Sequence, residues 1–109
     1  MARKPPAQFR PKDFLTKVGA GKTLLKCKKN QIVFSQGDAS GAVFYVQEGK
    51  VKLTVLSQRG KEAVIAILER ESFFGEACLA GETVCMATAT SLDSSSIIRI
   101  ERQAMIDAL

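Results

Sequence analysis

A mainly β fold, a jelly-roll-like roll or sandwich with short flanking helices, is the class this chain predicts. Three observations carry the prediction. From Thr23 onward the apolar residues recur with a period near two, the spacing of a half-buried strand. Glycine-centred turns interrupt that pattern every 8–12 residues, which divides it into seven or eight short strands. Helical pieces flank that pattern at its two ends, at Pro11–Val18 and Arg102–Leu109.

Taken in order, residues 1–10 contain Pro5 and Pro6 among basic residues and read as a flexible leader. Residues 11–101 form the expected roll. Its first piece, Pro11–Val18, suits a short helix with Phe14, Leu15 and Val18 on one face and Gly19 as its stop. Thr23–Lys28 is a first strand, closed by a Lys29-Asn30 turn. Ile32–Ser35 is a second, ended by Gln36-Gly37-Asp38, where the backbone needs a positive φ. Ala42–Gln47 and Lys50–Ser57 are expected to form a hairpin across Glu48-Gly49. In its second arm Val51, Leu53 and Val55 face one way, and Lys50, Lys52 and Thr54 the other. After a turn at Gln58–Lys61, Glu62–Leu68 is apolar on both faces, the pattern of a strand sandwiched inside the fold. A short helical turn follows at Glu76–Ala80, stopped by Gly81, then an alternating run at Met86–Ser91 and a last strand at Ser96–Glu101. Residues 102–109 read as the start of a C-terminal helix, with Ala104, Met105, Ala108 and Leu109 near one another on its surface.

Composition narrows the function. The 109 residues make one domain with ordinary apolar (46%) and charged (25%) content. No apolar run approaches the roughly 20 residues that span a bilayer, so no membrane partner is expected and the expected address is cytoplasmic. Cys27, Cys78 and Cys85 are odd in number and lack CxxC spacing, which argues for reduced thiols rather than a disulfide framework or zinc. The chain has no histidine. That removes the Ser-His-Asp and Cys-His triads, the imidazole ligands of most catalytic metals and a histidine-held haem. We expect no catalytic residues, no metal and no enzyme. The net charge of +5 is uneven: Met1–Lys29 carries +8 and the remaining residues −3. A basic arm of this kind suits contact with nucleic acid or an acidic partner, and equally a solvated tail. Phe9 and Phe14 are its only aromatics, sparse for base stacking.

The candidate site is Phe73–Ser91, FFGEACLAGETVCMATATS. A glycine entering a helical turn exposes backbone N–H groups that favour an anion. The same spacing also suits a tight corner of a roll that needs glycines for its backbone alone. Phe74-Gly75-Glu76, the small-apolar turn after it and the strand beginning near Met86-Ala87 resemble the phosphate-binding cassette of cyclic-nucleotide-binding domains, above all the sensory half of Crp/Fnr bacterial regulators. The resemblance extends over Asn30–Leu109, including FSQGD (Phe34–Asp38) and VQEGKVKLTVL (Val46–Leu56).

That resemblance implies a ligand-responsive regulatory domain whose effector is a cyclic nucleotide, cyclic AMP or cyclic GMP. It implies ligand contacts from Phe74, Gly75, Glu76, Ala77, Cys78, Cys85, Met86 and Ala87. Glu76 matches the glutamate that accepts a hydrogen bond from the ribose; otherwise it complements the dipole of the turn. The backbone N–H groups of Ala77 and Cys78 would hold the phosphate. A homodimer is implied once the C-terminal helix is complete, as is DNA binding through a domain this chain does not contain, so the chain reads as a sensory fragment of a longer regulator. Cys85 is the departure. The family places an arginine there, and Arg or Lys is absent between Arg70 and Arg99. Losing one charge-assisted hydrogen bond weakens binding by roughly ten- to a hundred-fold. Nucleotide affinity is therefore expected to be weak or lost. The thiol opens a second reading, a redox or electrophile sensor using Cys85 with Cys78 as resolving thiol, against inert buried cysteines. A third is a structural module that dimerises through Arg102–Leu109.

Overall fold

A computed structural model describes Leu15 and residues 18–109. The expected leader and most of the expected Pro11–Val18 helix lie outside the described residues; Leu15 and Val18 are both buried. Eight strands follow: β1 (Lys22–Cys27), β2 (Ile32–Phe34), β3 (Ala42–Glu48), β4 (Val51–Leu56), β5 (Glu62–Leu68), β6 (Phe73–Phe74), β7 (Thr88–Ser91) and β8 (Ser95–Glu101). A 3-10 turn, Glu76–Ala80, separates β6 from β7, and the helix α1 (Arg102–Ala108) closes the chain. All strand pairs are antiparallel, in two four-stranded sheets of order β1-β8-β3-β6 and β2-β7-β4-β5. This is the roll expected from the sequence.

Two apolar clusters hold it. The first lies between the sheets and joins Phe44, Val46, Phe74 and Ile97 of one sheet to Val51, Leu68 and Ala89 of the other. The second sits on the opposite face of the first sheet, where Val43, Tyr45 and Ile100 meet Leu15, Val18, Cys78 and Met105. Residues 43 and 45 alternate with 44 and 46 along β3, so the two faces of that strand serve the two clusters. Each fully buried side chain of this size stabilises the fold by about 1.5–3 kcal/mol. This is why Ala42–Val46 is buried at every position.

The structure corrects three expectations. The strand apolar on both faces, β5, is not sandwiched: it is the edge of its sheet, and Val64, Ile65 and Ile67 are 57%, 56% and 57% exposed. The sandwiched strand is β3, central in its sheet and covered on both faces. Nor do β3 and β4 form a hairpin, because the turn at Gly49 carries the chain from one sheet to the other. Finally, the pairing of β4 with β5 shifts register at Leu53/Thr54. Leu53 pairs with Ala66 and Thr54 with Val64, so Ile65 is an extra residue bulged out of β5. Thr54 is buried there, not exposed. Two of the expected turns carry a positive φ, Gly37 at 91° and Asn30 at 67°.

Candidate functional site

The site is assembled from one local motif and two distant walls. Phe73 and Phe74 point to opposite faces as a two-residue strand must. Phe74 pairs with Phe44 and stacks on it at 5.2 Å between ring centroids, while Phe73 packs beside Tyr45 at 5.0 Å. Phe34 of β2 closes the inner group, 5.2 Å from Phe44 and 5.9 Å from Phe74. The chain then reverses through Gly75 (φ 75°) into the 3-10 turn and leaves it through Gly81 (φ 95°). Both values lie in the left-handed region, where a side chain costs energy. The Gly81 N–H donates to the Cys78 carbonyl and the Glu82 N–H to the Ala77 carbonyl, at 3.3 and 3.2 Å.

Cys78 anchors the turn. Its thiol, 1% exposed, donates to the Ala42 carbonyl at 3.5 Å, and its own carbonyl accepts the Arg102 Nε–H at 2.8 Å. The first residue of α1 is thus fastened to the turn. The FSQGD segment forms the facing rim. Its Gly37 N–H donates to the Cys85 carbonyl, the Cys85 N–H to the Asp38 carbonyl and the Ser40 N–H to the Thr83 carbonyl, all at 2.8–2.9 Å. Gln36 ties that rim to the end of β4: its side-chain amide donates to the Leu56 carbonyl at 3.3 Å and accepts the Leu56 N–H at 2.7 Å.

Between rim, turn and sheet lies a cavity of about 300 Å³, at the small end for ligand clefts. Of the expected contacts, Gly75, Glu76, Ala77, Cys85, Met86 and Ala87 line it. Phe74 and Cys78 do not; their side chains lie in the two apolar clusters. Sequence reasoning missed Asp38, which lines the cavity and accepts the Ser35 N–H at 2.9 Å, and above all Arg99 of β8. Arg99 shares the inner face of β8 with Ile97, which enters the inter-sheet core, but with isoleucines at 97, 98 and 100 both faces read as apolar and the sequence carries no signal for which one turns inward.

Burial pushes the Glu76 carboxyl above its ordinary value, opposed by a backbone hydrogen bond. The side chain stays exposed at the cavity mouth, so the walls remove part of its water rather than enclosing it. The Cys85 thiol is also pushed up, first by burial, then by the Asp38 charge and by Cys78. Burial raises Cys78 as well, against the nearby Arg102. A raised thiol is protonated at neutral pH and is a poor nucleophile. Among the described residues no group of three or more His, Cys, Asp or Glu could hold a metal ion.

Residues 24–109 match the family model for the cyclic nucleotide-binding domain. The chain belongs to that family. It is 31% identical over 71 residues to the cyclic AMP receptor protein of Thermus thermophilus, covering 65% of this chain and 33% of that protein. It superimposes on the sensor domain of the transcriptional regulator DNR of Pseudomonas aeruginosa with a TM-score of 0.79 at 26% identity, covering 88% of this chain and 65% of that one. The catabolite activator protein of Thermus thermophilus shares the fold, with a TM-score of 0.81 at 22% identity over 94% of this chain and 47% of that one. The chain spans about a third of the first of these relatives and just under two thirds of the second. Among the described residues no helix is long and apolar enough to cross a membrane.

Proposed function

We propose that this cyclic nucleotide-binding domain is the sensory, non-catalytic part of a Crp/Fnr-like transcriptional regulator, and that a cyclic nucleotide, cyclic AMP or cyclic GMP, occupies the cavity of about 300 Å³. The observation that carries the reading is convergence. Gly75, Glu76 and Ala77 from the turn and Cys85, Met86 and Ala87 from the approach to β7 meet at one cavity, six of the eight residues that the resemblance marks. Glu76 accepts from a sugar hydroxyl, and the turn seats the phosphate. Cys85 stands where the family carries arginine, so the cassette lacks its planar, bidentate cation and the affinity is low.

Occupancy has a route out of the site. Arg102 holds the turn to α1 through the Cys78 carbonyl, so a shift of the turn bears on the helix directly. In a longer regulator that helix would extend into a dimer contact; Ile106 and Leu109 are already exposed apolar residues on it. DNA would be bound by a further domain. The thiol-sensor reading gains no support from thiols held protonated by burial.

The test is calorimetric titration of the chain and of Cys85→Arg with 3′,5′-cyclic AMP and 3′,5′-cyclic GMP. The variant is expected to bind one of them about ten- to a hundred-fold more tightly than the parent. If neither protein binds either nucleotide, the reading fails.

A further inference from the structure

The cavity's charges do not suit an anion unless one residue from outside the cassette takes part. Its lining carries two carboxylates, Asp38 and Glu76, and one guanidinium, Arg99. A phosphate entering among carboxylates alone would shed water and meet like charge. Arg99 is the cation on the wall.

The sheet register explains how it arrives there. Along β8, Ile98 and Ile100 pack on the outer cluster while Ile97 enters the inter-sheet core. Arg99 alternates with them and shares the inner face with Ile97. It pairs with Thr23 on one side and Phe44 on the other, and Phe44 pairs in turn with Phe74. Thr23, Arg99, Phe44 and Phe74 therefore form one row across the sheet, ending beside Gly75. That glycine lies so close to Phe44 that an added Cβ would be 3.0 Å from the ring.

The guanidinium is not spent elsewhere. Among the described residues its ion pair is with Glu101 at 3.9 Å, too long for a hydrogen bond, and that carboxylate is 63% exposed. It reaches neither cavity carboxylate within ion-pair distance. An arginine has five N–H donors in a fixed fork, suited to a phosphate.

We propose that Arg99 is the residue that holds the ligand's anionic group in this cavity, gripping it from the sheet wall in place of the cation lost at Cys85. This rests on the reading of the cavity as a cyclic-nucleotide site. It adds that the phosphate is held by a cation from β8 rather than by one from the strand after the turn.

The experiment titrates the chain, Arg99→Gln, Cys85→Arg and the double variant with 3′,5′-cyclic AMP and 3′,5′-cyclic GMP. The parent is expected to bind measurably, Arg99→Gln at least about ten-fold more weakly, and the double variant to recover the parent's affinity or better. Parent-like binding by Arg99→Gln would overturn the role of Arg99 and leave the functional reading standing. So would a parent that does not bind beside a Cys85→Arg variant that does. If neither the parent nor Cys85→Arg binds either nucleotide, the functional reading falls and this inference with it. Should Arg99→Gln fail to fold, the unmutated chain decides. In its NMR spectrum the Arg99 Nε–H resonance, assigned through Arg99→Lys, is expected to shift on saturation with the nucleotide, and an unmoved resonance would overturn the proposal.

Discussion

Alanine at each of the two glycines that bracket the 3-10 turn separates two costs that glycine avoids. Gly81 has φ 95° and open space where a Cβ would go, with no atom within 4 Å. Gly81→Ala therefore costs only the left-handed backbone, about 1 kcal/mol. Gly75 has φ 75°, and its added Cβ would lie 3.0 Å from Phe44 Cδ1 and 3.4 Å from the Ala42 carbonyl oxygen. The ring cannot retreat alone, because it stacks on Phe74 and tilts against Phe34, each at 5.2 Å. Overpacking of this kind adds roughly 1–3 kcal/mol, for a total of about 2–4 kcal/mol. A domain of this size loses about 4–8 °C of Tm per kcal/mol. Thermal unfolding followed by far-UV circular dichroism should thus show a drop of about 4–8 °C for Gly81→Ala and at least about 8 °C for Gly75→Ala. Nucleotide titration should show the larger loss for Gly75→Ala, whose strain falls beside Glu76. Equal drops in Tm would refute the claim that the aromatic group fixes the start of the turn. A neutral Gly81→Ala would refute the backbone argument for both.

Three further outcomes follow from the electrostatics and the tether. Cys85 should label with iodoacetamide at neutral pH more slowly than the same thiol in the urea-unfolded chain, and Asp38→Asn should speed it by removing the charge that helps hold the proton on; rapid labelling of the folded parent would restore the thiol-sensor reading. The Glu76 carboxyl is raised in the folded state, so its contribution to stability is present below its unfolded value and is lost as pH rises through the folded one. The parent should therefore gain stability relative to Glu76→Gln as pH falls from neutral into the carboxylate range, and a gain in the opposite direction would contradict the desolvation of that group. Arg102→Met removes the 2.8 Å hydrogen bond to the Cys78 carbonyl, at a cost of about 1 kcal/mol. Hydrogen exchange of the Gly81 and Glu82 amides, which close the turn, should quicken in that variant; unchanged protection would mean that α1 does not hold the turn.

What the sequence made legible is what short-range chemistry decides. Glu76–Ala80 was bounded correctly because its two glycines and its small-residue interior are local instructions, and the structure gives both glycines positive φ. Glu62–Leu68 was likewise bounded correctly, yet its surroundings were misread. EAVIAIL and AVFYV are both apolar on two faces, and periodicity cannot say which will lie at the centre of a sheet. That depends on pairing. β3 is central because β8, far along the chain, pairs on one side and β6 on the other, and because Leu15 and Met105, from the two ends of the chain, help cover its outer face.

The same limit governed the site. Read along the chain, the stretch after Arg70 offers a cassette without a cation, and a weak or vanished affinity is the direct inference. Arg99 lies beyond the cassette in SIIRIE, where isoleucines at 97, 98 and 100 leave both faces apolar and hide which one turns inward. The pairing of β8 with β3 decides it, setting Arg99 opposite Phe44 and so on the cavity side. The charge balance of a cavity is thus a property of the closed sheet, whereas the motif that names the family is a property of one loop. A departure from the resembled motif inside that loop, such as the one expected at Cys85, cannot be weighed until every wall facing it is known.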